Sequence, residues 1–150
     1  MPTRIGKPAE LLDLVGTTMG ESGWHEITQD QVNLFADATD DHQWIHVDPQ
    51  RAEAGPFGGT IAHGYLTLAL GPMFLRETLV IDELDAGVNY GLNKVRFPAP
   101  VPVGGRLKGR VELTAARQRD AGIEATFTIT VELAGSPRPA CVAEAVVIYQ

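Results

Sequence analysis

The feature that most constrains this chain is a long apolar stretch near its middle, from Ala62 to Thr78. Its apolar side chains recur at helical spacing and cover most of a helix circumference: Tyr65, Leu66, Leu68, Ala69, Leu70, Met73, Phe74 and Leu75. A helix that is apolar nearly all round has to be buried. We therefore predict one long central helix that the rest of the chain surrounds.

The second half of the chain shows the two-residue alternation of β-strands. In residues 105–118, for example, Leu107, Val111 and Leu113 fall on one face of the strand. We predict four strands, over residues 87–97, 105–118, 123–133 and 140–150, with a hairpin turn at residues 120–122. Helices followed by an antiparallel meander predict an α+β fold, and 150 residues suit a single domain over residues 1–150. A sheet curved around the central helix would bury both.

Two start signals predict helices in the first half of the chain. Thr28 with Gln31 three residues later resembles a capping box and predicts a helix running toward Ala38. Asp48 followed by Pro49 predicts a short helix that ends before Gly55. The helical pattern is lost between these two segments, so we expect a loop there. A short helix over residues 8–16 and a short strand over residues 23–28 are also predicted.

Composition and charge exclude several classes of protein. The formal net charge of −7 argues against nucleic-acid binding, which normally needs a basic face. Cys141 is the single cysteine, so no internal disulfide can form, and we expect it to be a small core residue. The N-terminal residues contain no long apolar run, and the central stretch is too short to span a bilayer. We expect a soluble cytoplasmic protein that binds neither membranes nor nucleic acid.

Proton-handling side chains are concentrated in the segment between the two predicted helices, DATDDHQWIHVDP, residues 37–49. Histidine and aspartate are well suited to moving protons near neutral pH, and the neighbouring Trp44 and Ile45 would limit water access. Each residue alone has a plainer explanation. Asp40 and Asp41 could end a helix and solvate a loop, and His46 could be a hydrogen-bonded core histidine. The combination is what favours acid–base catalysis.

A metal site is the other chemistry that these residues suggest. His42 and His46 are four residues apart, and with Asp48 and His63 they form a set of zinc-type ligands. However, the helical pattern that would align the two histidines has already ended, Pro49 follows at once, and no cysteine pair is present. We therefore predict no metal and no bound cofactor.

A glycine-rich segment leads into the predicted central helix. The first backbone N–H groups of a helix have no partners within the helix, so Gly64, which has no side chain, could let a ligand oxygen approach its N–H. The same glycines, Gly58, Gly59 and Gly64, could instead allow tight packing. The spacing alone is compatible with both interpretations.

Taken together, FADATDDHQWIHVDPQRAEAGPFGGTIAHGYLTLAL resembles the hydratase signature of the MaoC-like dehydratases, which include the (R)-specific enoyl-CoA hydratases. The shared pattern is Asp-x4-His, a short helix, and then His-Gly at the head of a long apolar helix. YGLNKVRFPAPVPVG resembles the next strand and turn of that family. The resemblance covers about residues 26–110 and implies a hot-dog fold, an antiparallel sheet wrapped around one long helix.

The resemblance also implies roles for individual residues. Asp41 and His46 match the catalytic acid–base pair, and His63-Gly64 matches the His-Gly, with the Gly64 amide binding the thioester carbonyl oxygen and His63 among the substrate-binding residues. One departure concerns Gln43-Trp44, where the family commonly has Asn-Pro. Gln43 can still offer an amide to the substrate, but the shape of this loop is not determined by the resemblance.

The implied reaction is reversible addition of water to a trans-2-enoyl-CoA, giving an (R)-3-hydroxyacyl-CoA. Coenzyme A would be part of the substrate, and the family pairs as dimers, so a homodimer is implied. Two alternatives stay open. The fold also hosts thioesterases, often with a carboxylate and no partner histidine, and it could serve as a non-catalytic acyl-CoA-binding subunit or sensor. The pairing of Asp41 with His46 favours hydration.

Strand alternation suggests further contacts with the substrate. Asn93 shares a strand face with Val95 and Phe97, which predicts an inward position as either a satisfied core amide or a substrate-binding group. Basic side chains on the outer strand faces could meet the phosphates of coenzyme A, or could simply be solvated: Lys94, Arg96, Arg106, Lys108 and Arg110.

Overall fold

Four long strands from the second half of the chain form most of the sheet. The computed structural model describes all residues, 1–150. The long strands are β5 (Gly87–Arg96), β6 (Arg106–Arg119), β7 (Gly122–Leu133) and β8 (Cys141–Tyr149), and each agrees with its predicted range to within one or two residues. Their alternation of apolar and polar residues therefore identified the strands correctly.

The sheet is completed by two short strands from the first half of the chain. These are β2 (Thr17–Glu21) and β3 (His25–Glu26), which both pair antiparallel with β6. The strand order is β2-β6-β7-β8-β5, so β5 is an edge strand. A separate parallel pair joins β1 (Thr3–Ile5) to β4 (Leu79–Ile81), and a 3₁₀ helix over Pro8–Asp13 follows β1.

The central helix is divided into α4 (Gly64–Ala69) and α5 (Gly71–Thr78), whereas one continuous helix over Ala62–Thr78 was predicted. Pro72 has no backbone N–H to bond the preceding turn, and the interruption lies at Leu70, just before it. Ala62 lies before the helix, and its N–H donates to the carbonyl of Val101 (2.8 Å). The helical rod is therefore shorter than predicted.

The rod packs into the concave face of the sheet. Phe74 of α5 is fully buried against Gly109 of β6, where a β-carbon would lie 2.7 Å from the β-carbon of Phe74. The buried sheet residues that face the rod include Leu107, Val111, Phe127, Ile129 and Val131. This is the α+β hot-dog arrangement of a sheet wrapped around a central helix. Burial is not complete, since Tyr65 and Ala69 leave one flank of α4 exposed.

The remaining helices lie before the rod. They are α1 (Gln29–Thr39), α2 (Trp44–Val47) and α3 (Pro49–Glu53). The Thr28 hydroxyl accepts a hydrogen bond from the Gln31 N–H (3.2 Å), as its capping pattern predicted. Cys141 is buried in the core, also as predicted, and burial raises its pKa to about 11. No helix in the protein, including α4 and α5, is long and apolar enough to cross a membrane.

Candidate active site

The end of α1 determines where Asp41 emerges. Asp40 caps the helix in the left-handed conformation, with φ of 58°, which aspartate tolerates better than most residues. The backbone N–H groups of Asp40 and Asp41 both donate to the carbonyl of Ala36. His42 ties the turn together, with Nε2 2.9 Å from the Asp37 carboxylate and Nδ1 3.4 Å from that of Asp40. Asp41 is therefore presented by a well-braced turn.

His46 lies on α2, a single helical turn where the sequence predicted a loop. The side chain of Gln29 donates to the His46 carbonyl (2.8 Å), which attaches this turn to α1. The turn ends at Asp48, whose carboxylate accepts from the Arg51 N–H (3.1 Å) and begins α3 as predicted. Hydrogen bonds to α1 and at the start of α3 therefore fix the position of the turn that carries His46.

The imidazole of His46 is buried and oriented by a backbone carbonyl. Its Nδ1 lies 2.7 Å from the carbonyl oxygen of Ile61, so Nδ1 carries the proton and donates it. In the neutral ring, Nε2 then carries the free lone pair. Burial lowers the pKa of His46, partly opposed by the bond to Ile61. The ring is therefore poised as a neutral base.

His63 brings Asp41 and His46 together. Its ring stacks on that of His46, with centroids 3.9 Å apart and planes inclined by 23°. Its Nε2 donates to the backbone carbonyl of Asp41 (3.0 Å) and lies 4.0 Å from the Asp41 carboxylate. One nitrogen or oxygen ligand atom of each of Asp41, His46 and His63 lies within 4.8 Å of the others. The Asp41 side chain is 49% exposed, so the cluster is open to solvent at that point.

Gly64 is the first residue of α4, directly after His63. Neither its N–H nor that of Tyr65 is bonded within the protein, so both remain available to a ligand. The ring of Phe97 packs against Gly64, 3.2 Å from where a β-carbon would lie. Gln43 reaches the cluster by its backbone only, because its N–H donates to the Asp41 carboxylate (3.4 Å) while its side chain is exposed.

The expected inward position of Asn93 is wrong. Asn93 is exposed on the edge strand β5, whereas Val95 is partly buried against the core. The pairing of β5 with β8 is irregular between Leu92 and Val95, and a bulge of this kind breaks the alternation on which the prediction rested. The structure therefore does not bring Asn93 to the cluster.

The five basic side chains do not form one patch. Lys94 and Arg96 are on β5, which β7 and β8 separate from β6, the strand that carries Arg106 and the other two. Lys108 is also occupied, since it forms ion pairs with Glu21 (3.3 Å) and Glu132 (3.5 Å).

The orientation of the histidines bears on metal binding. An imidazole binds a metal through a nitrogen lone pair in its ring plane, at about 2.0–2.1 Å for zinc. The planes of His46 and His63 are nearly parallel, so they converge only far from both rings. His42 bonds Asp37 and Asp48 caps α3, which places neither in the cluster. The arrangement is therefore better shaped for proton transfer than for holding one ion.

An apolar cavity of about 380 Å³ lies between the rod and the sheet. It is lined mostly by small and aliphatic residues, among them Thr67, Leu68, Gly71, Ile129, Ala143 and Ala145. Asp41, His46 and His63 do not line it. Thr67 nevertheless lies three residues after Gly64, which is about 4.5 Å along a helix axis. The cavity therefore begins roughly one helical turn from the free Gly64 N–H.

Sequence reasoning missed the groups that orient the cluster. These groups contact the site from segments that are distant in the sequence. They are the Ile61 carbonyl, the Phe35 ring (4.9 Å from that of His63) and the Phe97 ring. No local pattern signals a backbone carbonyl as a partner. The placement of His63-Gly64 directly before an apolar helix was the one available indication that this segment mattered.

Comparison with known proteins agrees with this fold and identifies the family of the chain. A family model described as a MaoC like domain matches residues 11–134. The chain is 54% identical over 142 residues to "3-hydroxyacyl-thioester dehydratase Z" of Mycobacterium tuberculosis, with 94% of each chain covered. It is 45% identical over 152 residues to "Nodulation protein N" of Rhizobium meliloti, covering 95% of this chain and 90% of that protein.

Solved structures show the same architecture. The (R)-hydratase from A. caviae, involved in PHA biosynthesis, superposes with a TM-score of 0.68 at 26% identity, covering 87% of this chain and 96% of that one. R-Hydratase PhaJ1 from Pseudomonas aeruginosa superposes with a TM-score of 0.70 at 23% identity, covering 90% and 81%. With the family model spanning most of its length, the chain belongs to the MaoC-like dehydratase family of hot-dog hydratases and dehydratases, and it is an enzyme of the hydro-lyase class.

Proposed function

We propose that the chain catalyses the reversible, (R)-specific hydration of trans-2-enoyl-CoA to (R)-3-hydroxyacyl-CoA, with Asp41 and His46 as the acid–base pair. One observation carries the proposal: a carboxylate oxygen of Asp41 and a ring nitrogen of His46 lie within 4.8 Å of each other, and the His46 proton is held on Nδ1. Both the carboxylate and the free Nε2 accept hydrogen bonds. A water between them would donate both of its protons and direct an oxygen lone pair outward, toward C3 of the substrate.

The reaction then needs two proton movements. As the water oxygen bonds to C3, one of its protons passes to Asp41 or His46, and a proton is delivered to C2. The lowered pKa of His46 keeps the ring able to accept a proton near neutral pH. Water is added as hydroxyl at C3 and hydrogen at C2, and the dehydration reaction reverses these steps.

The thioester oxygen gains negative charge during the reaction and needs a donor. The free N–H of Gly64 is the proposed donor, and one such donor is typically worth about 10²–10³-fold in rate. The acyl tail would extend past Thr67 into the apolar cavity, which suits a hydrocarbon chain because its lining is largely aliphatic. No metal or bound cofactor is needed for any of these steps.

The test is turnover of crotonyl-CoA and of a longer enoyl-CoA. The loss of the enoyl absorbance measures the rate, and chiral analysis of the product measures the stereochemistry. Asp41→Asn and His46→Ala should each lower kcat by about 10²–10⁴-fold, the usual contribution of an acid–base group. Asp40→Asn is the matched control, because the Asp40 side chain is 98% exposed and lies one position away. An equal loss in Asp40→Asn, or release of free CoA thiol in place of hydration, would contradict the proposal.

We also propose that the protein functions as a homodimer. One edge of the sheet, β5, is left without a neighbouring strand, and nine of its ten residues are exposed. Unpaired sheet edges tend to pair with another chain. One flank of α4 is also exposed, so a partner could cover apolar surface on the helix as well. A second copy placed along β5 would cover that edge.

A further inference from the structure

The ring of His63 is buried and contacts two other rings. His46 stacks on one face at 3.9 Å, and Phe35 lies against the ring with centroids 4.9 Å apart and planes inclined by 54°. Only 2% of the residue is exposed. A side chain this enclosed presents little surface to a substrate, although it contacts both of the groups assigned to catalysis.

The hydrogen bonds of His63 specify one tautomer. The Asp41 carbonyl can only accept, so Nε2 of His63 must carry the proton that it donates there. Nδ1 is buried and has no partner. A proton on Nδ1 would therefore be a buried donor without an acceptor, which is costly. The ring therefore makes two kinds of contact: a hydrogen bond donated by Nε2 and stacking against His46.

His63 also belongs to a short segment, residues 61–64, that touches every part of the site. Ile61 donates its N–H to the Ile45 carbonyl (3.0 Å) and accepts from Nδ1 of His46 (2.7 Å). His63 holds the backbone of Asp41, and Gly64 supplies the free N–H. The base, the carboxylate and the oxyanion donor are therefore positioned by four consecutive residues.

From these contacts we infer that His63 is a positioning residue, through which the segment 61–64 holds Asp41 and His46 in register with the Gly64 amide, and that it does not bind the substrate. The inference rests on the proposed function, because the groups that it positions are those assigned to hydration. It differs from the role that the family resemblance implies, in which His63 contacts the substrate.

Two variants separate the contributions of the ring. His63→Phe keeps an aromatic ring for stacking but removes the N–H that bonds Asp41. His63→Gln keeps an amide N–H near the position of Nε2 but removes the ring. We expect His63→Phe to lower kcat by about 10²-fold, the usual effect of a misplacement of about 1 Å, with KM changed less than threefold. His63→Gln should recover part of kcat, because it can restore the bond to Asp41.

A second measurement does not depend on turnover. The protonation of His46 is followed by NMR in the free protein, in the wild type and in both variants. His63→Gln opens one face of the His46 ring to water, which should move the His46 titration midpoint upward toward 6.5. If His63→Phe fails to fold, as judged by circular dichroism and Tm, His63→Gln alone provides both measurements.

The outcomes are distinct. A variant effect mainly on KM would assign His63 to substrate binding and overturn the inference. Unchanged kcat together with an unchanged His46 titration would overturn it as well. Absence of hydration by the wild type would instead contradict the proposed function, while the NMR titration would still report whether His63 positions His46.

Discussion

Phe97 packs directly on Gly64, where a β-carbon would lie 3.2 Å from two carbons of the aromatic ring. That distance is shorter than ordinary van der Waals contact, so an alanine fits only if the ring moves by a few tenths of an ångström. Phe97 follows the end of β5 and is 42% exposed, so it has room to move. The fold should therefore tolerate an alanine at position 64.

Gly64→Ala is expected to lower kcat/KM by about 10²–10³-fold, the effect of losing one oxyanion donor, with Tm nearly unchanged. The methyl group would crowd the N–H to which the thioester oxygen is proposed to bond. Alanine is otherwise a better helix residue than glycine at this position. Steady-state kinetics with crotonyl-CoA and a thermal melt measure the two effects.

Gly59→Ala is the matched control for this prediction. Gly59 belongs to the same glycine-rich segment, but a β-carbon there meets nothing within 4 Å and its φ is not in the left-handed region. We expect wild-type activity from it. Full activity in Gly64→Ala would remove the Gly64 amide from the mechanism.

The pH dependence of activity should follow the lowered pKa of His46. Burial lowers that pKa below its ordinary value of 6.5, so the ring stays neutral and able to accept a proton at pH values where an exposed histidine is already charged. We expect the acid limb of the kcat/KM profile to have its midpoint below 6.5. A midpoint at or above 6.5 that His46→Ala abolishes would contradict this assignment.

The same group makes unfolding depend on pH in a defined direction. Between the lowered folded pKa and 6.5, the unfolded chain binds a proton at His46 that the folded chain does not. The contribution of His46 to the free energy of unfolding is therefore complete above pH 6.5 and is lost as the pH falls from 6.5 toward the folded pKa. Urea titrations of the wild type and of His46→Gln across this range should differ in slope with pH, and parallel curves would argue against a lowered pKa.

Gly109→Ala should destabilise the fold without a direct effect on the site. A β-carbon at Gly109 would overlap the ring of the fully buried Phe74 and lie 2.7 Å from its β-carbon. Overpacking of a core typically costs about 1–3 kcal/mol, and the rigid contact here favours the upper part of that range. Gly91→Ala, in another strand with nothing within 4 Å of the added carbon, is the control. Equal urea midpoints for the two variants would show that Phe74 repacks freely.

Much of the fold could be predicted because local sequence patterns indicate the type and position of most helices and strands. Alternation located the four long strands, and the caps at Thr28 and Asp48 located the starts of two helices. The failures came where a local pattern was broken by one residue. Pro72 divided the rod, and the bulge after Leu92 turned Asn93 outward.

The candidate site could be predicted only in part, for a related reason. Asp41 and His46 are close in the chain, so their convergence is visible in the sequence. Their orientation depends on Ile61, His63 and Phe35, which approach from other segments and make contacts through a carbonyl or a ring face. Such contacts leave no periodic signal, and only the folded chain reveals them.

The exposed edge strand predicts where a second copy would bind. Val88, Tyr90 and Leu92 of β5 are each about half exposed, at 50%, 57% and 48%. An apolar edge strand of this length invites pairing, and a charge on it is a common means of preventing pairing. Leu92→Glu is therefore expected to convert the protein from a dimer to a monomer in analytical ultracentrifugation.

The control for the edge variant is Leu34→Glu on α1, which makes the same substitution at a residue that is 70% exposed and lies on neither β5 nor the rod. It should leave the dimer intact. A wild-type protein that is already monomeric at micromolar concentration, or a Leu92→Glu variant that remains dimeric, would rule out pairing along this edge.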